Sequence, residues 1–492
     1  MPIELCAEDL PEIAARASVP RYQRGSLSAG IVHFGVGNFH RAHQAVYLDE
    51  LFNLGLDHDW ALIGAGVRAN DAEMRRKLLG QDYLTTVVEQ EADRTSARVT
   101  GAMIDFLPVG DLAVISETLA DPKIRIVSLT VTEGGYYIDP ASQRFDASHP
   151  DIVADSANPE APKSVFGLIL LGLHLRKERG VPPFTVMSCD NIPGNGHVTQ
   201  NAVAGLAELI DPALARWVRG AVAFPNGMVD RITPATGQRE RDALEKEFGI
   251  VDAWPVFCEE FKQWVLEDNF PNGRPALEKV GVQFVADVAP FEHMKIRILN
   301  GGHATIAYPA GLLDIHFVHE AMEHRLVRAF LEMVEREEII PVVPPVPDTD
   351  LGDYYRLIER RFSNPKIGDT IQRLCLDGSN RQPKFILPSA ADRVAAGQGV
   401  TGLALVSALW ARYCYGESDS GKVIPPNDPN WDRLTALARE AKADPKAWLT
   451  MGDIFGGLTT EPAYVAAFTT ALASLWARGT AATLEAYLAG TL

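Results

Sequence analysis

One short stretch near the amino terminus limits the fold more than any other. Ile31-Val-His-Phe-Gly35 is a run of β-forming residues that ends in Gly35-Val-Gly37, and from Arg41 onward (RAHQAVYLDELFNLG) the periodicity is helical. A strand that hands over to a helix through Gly-x-Gly is the setting of a dinucleotide-binding turn. Gly35 permits the tight turn, and Gly37 lets the backbone approach a pyrophosphate at the helix N-terminus. His40 stands where the common pattern has a third glycine, so helix and strand must pack differently here. A purely structural βα turn is the bland alternative.

The same alternation continues along the first half. Trp60-Ala-Leu-Ile-Gly-Ala-Gly66 reads as a second strand, 84–90 and 97–107 as a further pair, and 124–131, 184–188 and 221–224 as buried strands. Strands alternating with helices imply a mostly parallel, doubly wound sheet, hence an α/β, Rossmann-like domain. From about residue 286 long helical patterns take over, with a Pro-rich connection at 339–350. The sequence therefore predicts a dinucleotide-binding domain over 1–285 and a mainly helical substrate-binding and catalytic domain over 286–492.

Composition excludes several classes. A formal charge of −18 over 492 residues disfavours nucleic acid or an anionic membrane as partner, since both need a concentrated basic surface. The longest apolar run, VFGLILLGLHL, falls short of the ~20 residues that span a bilayer. The N-terminal stretch has acids where a signal peptide has bases. Five scattered cysteines fit reduced thiols in a cytoplasm, and no CxxC or HExxH pairing points to a metal.

Two segments carry candidate chemistry. The second strand ends Gly64-Ala-Gly66-Val-Arg68-Ala-Asn70-Asp71. An acid here accepts ribose hydroxyls and repels a 2′-phosphate, so Asp71 points to NAD, whereas Arg68 would attract a phosphate. The other segment is Met294-Lys-Ile-Arg-Ile-Leu-Asn-Gly-Gly-His303, read as the start of a long apolar helix. At 100° per residue, His303 lies about 80° around the axis from Lys295, and Asn300 about 140°. Amine, amide and imidazole in one wedge need partners. Two adjacent glycines cost about 1 kcal/mol each in a helix, which close approach of a ligand would explain. Solvated cations, a helix end and a satisfied core histidine are the structural alternative.

Several motifs converge on one family. Gly35-Val-Gly-Asn-Phe-His-Arg-Ala-His43, Thr130-Val-Thr-Glu-Gly-Gly-Tyr136, Ser188-Cys-Asp-Asn191, Phe224-Pro-Asn-Gly-Met-Val-Asp-Arg-Ile-Thr-Pro234, Glu292-His-Met-Lys-Ile-Arg-Ile-Leu-Asn-Gly-Gly-His303 and Asp377-Gly-Ser-Asn-Arg-Gln-Pro-Lys-Phe385 span most of the chain. In these the chain resembles the mannitol dehydrogenase family of polyol-specific long-chain dehydrogenases. The resemblance implies metal-independent, NAD-dependent interconversion of a polyol and a ketose, D-mannitol and D-fructose being the first pair to consider. It implies a catalytic Lys295, oxyanion-binding amides at Asn191 and Asn300, a substrate-positioning His303, and substrate contacts at Asp230 and Arg373. Arg381 stands where the family has a lysine, and keeps the charge but not the shape. Cofactor contacts are expected at Gly35, Gly37, Asn38, Phe39, Thr132 and Glu133, and at Asn70 and Asp71, where relatives can carry paired acids.

These residue types suit the chemistry. Alcohol oxidation needs a base, a stabiliser for the developing alkoxide and a hydride acceptor. Without a metal, two amide donors can form the oxyanion site, at roughly 3 kcal/mol per donor. A lysine base must be neutral, which desolvation favours. Glu292, three residues before Lys295, can pass the proton to solvent, or simply form a surface pair with it. Asp230 next to Arg231 has an ion-pair alternative, and Arg373 that of a solvated helical face. A uronate reductase or an arabinitol dehydrogenase of the same superfamily, and a non-catalytic dinucleotide sensor, are the competing readings. A small-molecule substrate and a monomer or low-order homo-oligomer are expected.

Overall fold

The computed structural model describes residues 2–139 and 144–492. The chain divides into two compact units, Met1–Ala289 and Pro290–Leu492. In the first, strands β1 (Ala29–Phe34), β2 (Ala61–Ala65), β3 (Met103–Phe106), β4 (Ile126–Leu129) and β5 (Thr185–Ser188) form one parallel sheet in the order β3-β2-β1-β4-β5. The strand order reverses between β1 and β4, the switch point at which such sheets bind ligands. Val32, Phe34, Val127 and Leu129 pack into one core, while Ile31, Leu62, Ile126 and Met187 pack into another. Burial on both faces is why these strands read as nearly continuous apolar runs.

Helices α1 (Asn38–Ala42) and α2 (Gln44–Asn53) follow β1, separated by a break at His43. After β2 comes α3 (Ala69–Leu79), and α4 (Leu112–Ala120), α5 (Val165–Arg179) and α6 (Asn195–Ile210) follow in the same unit. The predicted 84–90 and 97–107 pair is real in its first part: Thr85–Gln90 runs antiparallel to Thr95–Thr100. The end of the second run instead crosses into the main sheet as β3.

The strand expected at 221–224 is absent. Helix Pro212–Ala221 claims its first residue, because Leu214, Ala215 and Val218 bury one helical face. Beyond it a single backbone bond, Val186 N–H to Ala223 O at 3.0 Å, ties the segment to β5. The strand forms three residues later as β6 (Gly227–Asp230), antiparallel to Gln263–Glu267.

The second unit is helical. Helix α7 (Ala289–Met294) runs through a π-helical turn, Lys295–Asn300, into α8 (Gly301–Leu312). Helix α9 (Arg325–Val334) continues into a second π turn, Glu335–Ile339. Helices α10 (Leu351–Phe362), α11 (Ile371–Leu374), α12 (Gly378–Phe385), α13 (Thr401–Tyr413) and α14 (Pro462–Leu488) complete the part used below. The expected continuous helix around 319–338 is broken at His324, which leaves helical geometry. All five cysteines are free thiols. Among the described residues no helix is long and apolar enough to cross a membrane.

Candidate active site

The first unit builds a turn around Gly35. Its φ is +92°, and a Cβ there would lie 2.0 Å from the Thr130 carbonyl oxygen. Only glycine fits. The Thr130 hydroxyl donates back to the Gly35 carbonyl at 2.5 Å, so the ends of β1 and β4 are fastened together. His40 takes the place of the third glycine by lying flat on His33 of β1, with ring centroids 3.5 Å apart. Burial holds His33 down at about 3 and His40 well below the ordinary histidine range, so both rings are neutral at physiological pH. Gly37 caps α1, and a Cβ there would meet nothing nearer than 3.9 Å. That open face is what a pyrophosphate requires.

The neighbouring side chains are engaged within the chain. Asn38 donates to the Pro234 carbonyl and the Thr236 hydroxyl, both at 3.1 Å, and accepts from Arg41 at 2.8 Å. Phe39 packs against the apolar core and stacks on His43. What this turn offers a ligand is the backbone N–H groups at the start of α1.

Asp71 also has a local role. One of its carboxylate oxygens accepts from the Val67 and Arg68 N–H groups at 2.9 and 2.8 Å, capping α3. A Cβ on Gly66 would collide with it. That oxygen starts the helix, and Arg68 and Asn70 beside it are exposed.

At the carboxyl ends of β4 and β5 the chain is unusually fixed. Thr132 has φ +67° and ψ 162°, and Glu133 opens a short 3-10 turn, exposed. The Asp190 carboxylate accepts from Val131 N–H (2.9 Å), Thr132 N–H (3.0 Å) and the Tyr136 hydroxyl (2.6 Å). Asn191, the predicted oxyanion donor, follows at once and is exposed. Cys189 is core filler, and burial pushes its thiol up.

Asp230 ends β6 and is 7 % exposed. The salt-bridge partner of the adjacent Arg231 is Glu89 at 2.6 Å, with further bonds to the Glu259 and Ala42 carbonyls. The Asp230–Arg231 ion pair weighed from sequence does not describe this site.

In the second unit Lys295 and Asn300 occupy the two ends of one π turn. A π turn closes through i→i+5 bonds, so residues five apart come nearer to alignment than the 140° of a regular helix. Lys295 is 5 % exposed; Asn300 and Glu292 are half-buried. His303 stacks on Phe362 of α10 at 4.1 Å, and its Nε2 is buried without a hydrogen-bond partner. Burial, then the Arg373 guanidinium, pushes His303 down to about 3. Arg373 is gripped through Nε and Nη2 by Asp369 at 2.6 and 2.5 Å. Arg381 donates to the Leu374 carbonyl at 2.8 Å. Arg297, one of the two cations of this segment, pairs with Asp392 at 2.6 Å.

The double glycine has an explanation within the unit. A Cβ on Gly301 would lie 3.3 Å from the Phe385 carbonyl, and one on Gly302 would lie 3.0 Å from Glu335 and 3.4 Å from Phe362. These glycines admit the unit's own neighbours. Glu335, Phe362 and Asp369 were not singled out from sequence, because each acts through residues distant in the chain.

Two family models cover the chain: the mannitol dehydrogenase Rossmann domain over residues 29–279, and the mannitol dehydrogenase C-terminal domain over residues 287–476. The chain belongs to the mannitol dehydrogenase family. Its relatives there include a mannitol 2-dehydrogenase of Cereibacter sphaeroides, 61 % identical over 96 % of this chain and 98 % of the relative. One of Neosartorya fischeri is 41 % identical over 99 % of both. The solved ternary complex of Pseudomonas fluorescens mannitol 2-dehydrogenase with NAD and D-mannitol is 44 % identical, with a TM-score of 0.85, and covers 99 % of this chain and 100 % of that one. A substrate-free D-sorbitol dehydrogenase is 33 % identical with a TM-score of 0.93, covering 98 % and 100 %. The family's Rossmann half is thus the unit that carries the Gly35–Gly37 turn, and its C-terminal half carries Lys295, Asn300 and His303. Among the described residues no cluster of His, Cys, Asp or Glu could hold a metal ion.

Proposed function

We propose that this protein oxidises a polyol, D-mannitol first, to the 2-ketose D-fructose with NAD, and catalyses the reverse reduction. The observation that carries the reading is the π turn with a buried lysine at one end and an amide at the other. The fit to a dinucleotide rests on Gly37, whose open face and helix start suit a pyrophosphate. NAD, when bound, accepts hydride from the carbinol carbon. NAD and D-mannitol are the ligands of the Pseudomonas relative, and mannitol 2-dehydrogenase is the activity of the Cereibacter one.

The chain's own residues divide the remaining work. Lys295 takes the hydroxyl proton; removal from bulk water is the first requirement of such a base, and its burial meets it. Asn191 and Asn300 donate to the alkoxide oxygen as charge develops there. His303, kept neutral, offers a ring nitrogen to a substrate hydroxyl. Glu292, one helical turn before Lys295, passes the proton to solvent. Asp230, Arg373 and Arg381 bind the outer hydroxyls. Gly35 and Gly37 shape the cofactor turn, Asn38 and Phe39 brace it, and Thr132 and Glu133 line it. Asp71, which caps its own helix through one oxygen, accepts the ribose hydroxyls through the carboxylate, and Asn70 stands beside it. The enzyme works in the cytoplasm without a metal, as a monomer or low-order homo-oligomer.

Steady-state assays of the purified chain test this. D-mannitol, D-sorbitol, D-arabinitol and D-mannonate are offered with NAD and with NADP, reading the absorbance of the reduced cofactor. Oxidation of D-mannitol with NAD is the expected result. Preference for mannonate would assign a uronate reductase, and silence across the panel would leave a cofactor-binding protein without this activity. Exposed Arg68 makes the NADP arm informative.

A further inference from the structure

We propose that Asp190 is a positioning residue, which clamps Thr132 in a backbone conformation it would not hold alone and so fixes the cofactor-side turn against the oxyanion donor Asn191. The inference rests on the proposed cofactor and oxyanion roles of these segments. A β-branched residue at φ +67° and ψ 162° is a genuine outlier, which persists only where the surroundings enforce it. Here the enforcing group is identifiable. The N–H of Thr132 and that of Val131 before it both point at one buried carboxylate, each oxygen taking one of them. Tyr136, at the far end of the same turn, donates to it as well.

The carboxylate is itself held. The Asp190 N–H donates to the Ser188 hydroxyl at 3.2 Å, and its carbonyl accepts from the Asn195 amide at 3.1 Å. The hydroxyls of Ser188 and Tyr136 lie 2.6 Å apart. Thr130, two residues before Thr132, is locked to Gly35. The glycine turn, the strained threonine and the residue before Asn191 therefore form one chain of short contacts. Three converging donors need an acceptor on both oxygens, which Asp provides and Asn does not: an amide would turn its own N–H₂ toward at least one donor.

Asp190→Asn, Thr132→Gly and the double variant test the clamp, with NADH titrated against each protein and apo thermal unfolding recorded alongside. D190N is expected to weaken NADH binding about tenfold, the scale of a lost charged hydrogen bond. Glycine adopts φ +67° without a clamp. Adding T132G to D190N should therefore recover much of the lost affinity, and should raise the apo melting temperature more in the D190N background than in the wild type. A D190N protein that binds NADH within about twofold of wild type, or strictly additive effects in the double variant, would overturn the proposal. Should D190N not fold, Tyr136→Phe removes one donor and leaves the backbone pair. Weaker NADH binding by Y136F supports the clamp, and unchanged binding refutes it. A wild-type chain that binds NADH but oxidises no polyol would sink the proposed activity and leave the clamp testable. One that binds no NADH would sink the cofactor reading, while the Asp190–Thr132 coupling in apo unfolding would still decide the clamp.

Discussion

Glycines mark both halves of the chemistry, yet they serve opposite purposes. Gly35 is required by conformation: its φ is positive and the Thr130 carbonyl fills the place of a side chain. Gly301 and Gly302 have ordinary helical surroundings and are required, if at all, by the neighbours that press on them. The first kind of glycine shapes a surface for a ligand. The second lets helices approach, and the proposed catalytic residues sit around it. A glycine beside polar residues is thus no evidence of a ligand until its dihedral angle and its nearest atoms are known.

That contrast can be broken most forcefully at Lys295. If the helix site is chemical, Lys295→Ala lowers kcat by about 10²–10⁴-fold, with unfolding and NADH binding close to wild type. Full turnover in that variant at neutral pH would refute its role. The turn site should respond conformationally instead. Gly35→Ala is expected to cost about 2 kcal/mol or more in urea unfolding and to abolish NADH binding.

Glu335, which presses on Gly302, sharpens the contrast through pH. It is wholly buried, neither carboxylate oxygen has a hydrogen-bond partner, and burial pushes its pKa well above the carboxylate range. The folded chain keeps this proton while the unfolded chain loses it near the ordinary value. Its contribution is therefore complete at low pH and declines as pH rises, with a slope of up to about 1.4 kcal/mol per unit. Glu335→Gln should flatten that part of a stability–pH curve, and an unchanged slope would show the acid to be ionised. Least of all should happen at Gly302→Ala. Helix propensity gains about 1 kcal/mol and crowding against Glu335 loses a similar amount, so net stability should stay within about 1 kcal/mol. A loss as large as that of Gly35→Ala would erase the distinction.

Much of the fold was legible because burial on both faces of the sheet writes itself into apolar runs. Gly35 and Gly37 were legible for the same reason: their place at the end of β1 follows from the run before them. The segment 221–224 misled because an apolar run at a helix end looks like a buried strand. The capping role of Asp71 was not legible, because the sequence shows a carboxylate after a strand but not which N–H groups it will cap. The π turn left no sign at all. Its residues, Lys-Ile-Arg-Ile-Leu-Asn, suit a regular helix equally well, and only the ladder of hydrogen bonds reveals it. Asp190 was hidden by its neighbour, since Asn191 carried the motif while the N–H groups that Asp190 accepts from, at Val131 and Thr132, lie nearly sixty positions earlier.

The π turn also turns catalytic alignment into a matter of counting. Between Ala289 and Leu312 the chain makes one helical path with a single widened turn in it. A π turn is a regular helix with one residue too many, taken up by widening so that everything downstream keeps its facing. Deleting one residue within Lys295–Asn300 would therefore restore a regular helix and leave the buried run Gly301–Leu312 in place, with Gly302 still against Glu335, Gly311 against Tyr413 and His303 against Phe362. What the deletion would change is the turn itself, where Lys295 and Asn300 would no longer stand five residues apart. The facing of the lysine and the amide is thus set by chain length as much as by residue type, and a chain one residue shorter here should stay folded while losing that arrangement.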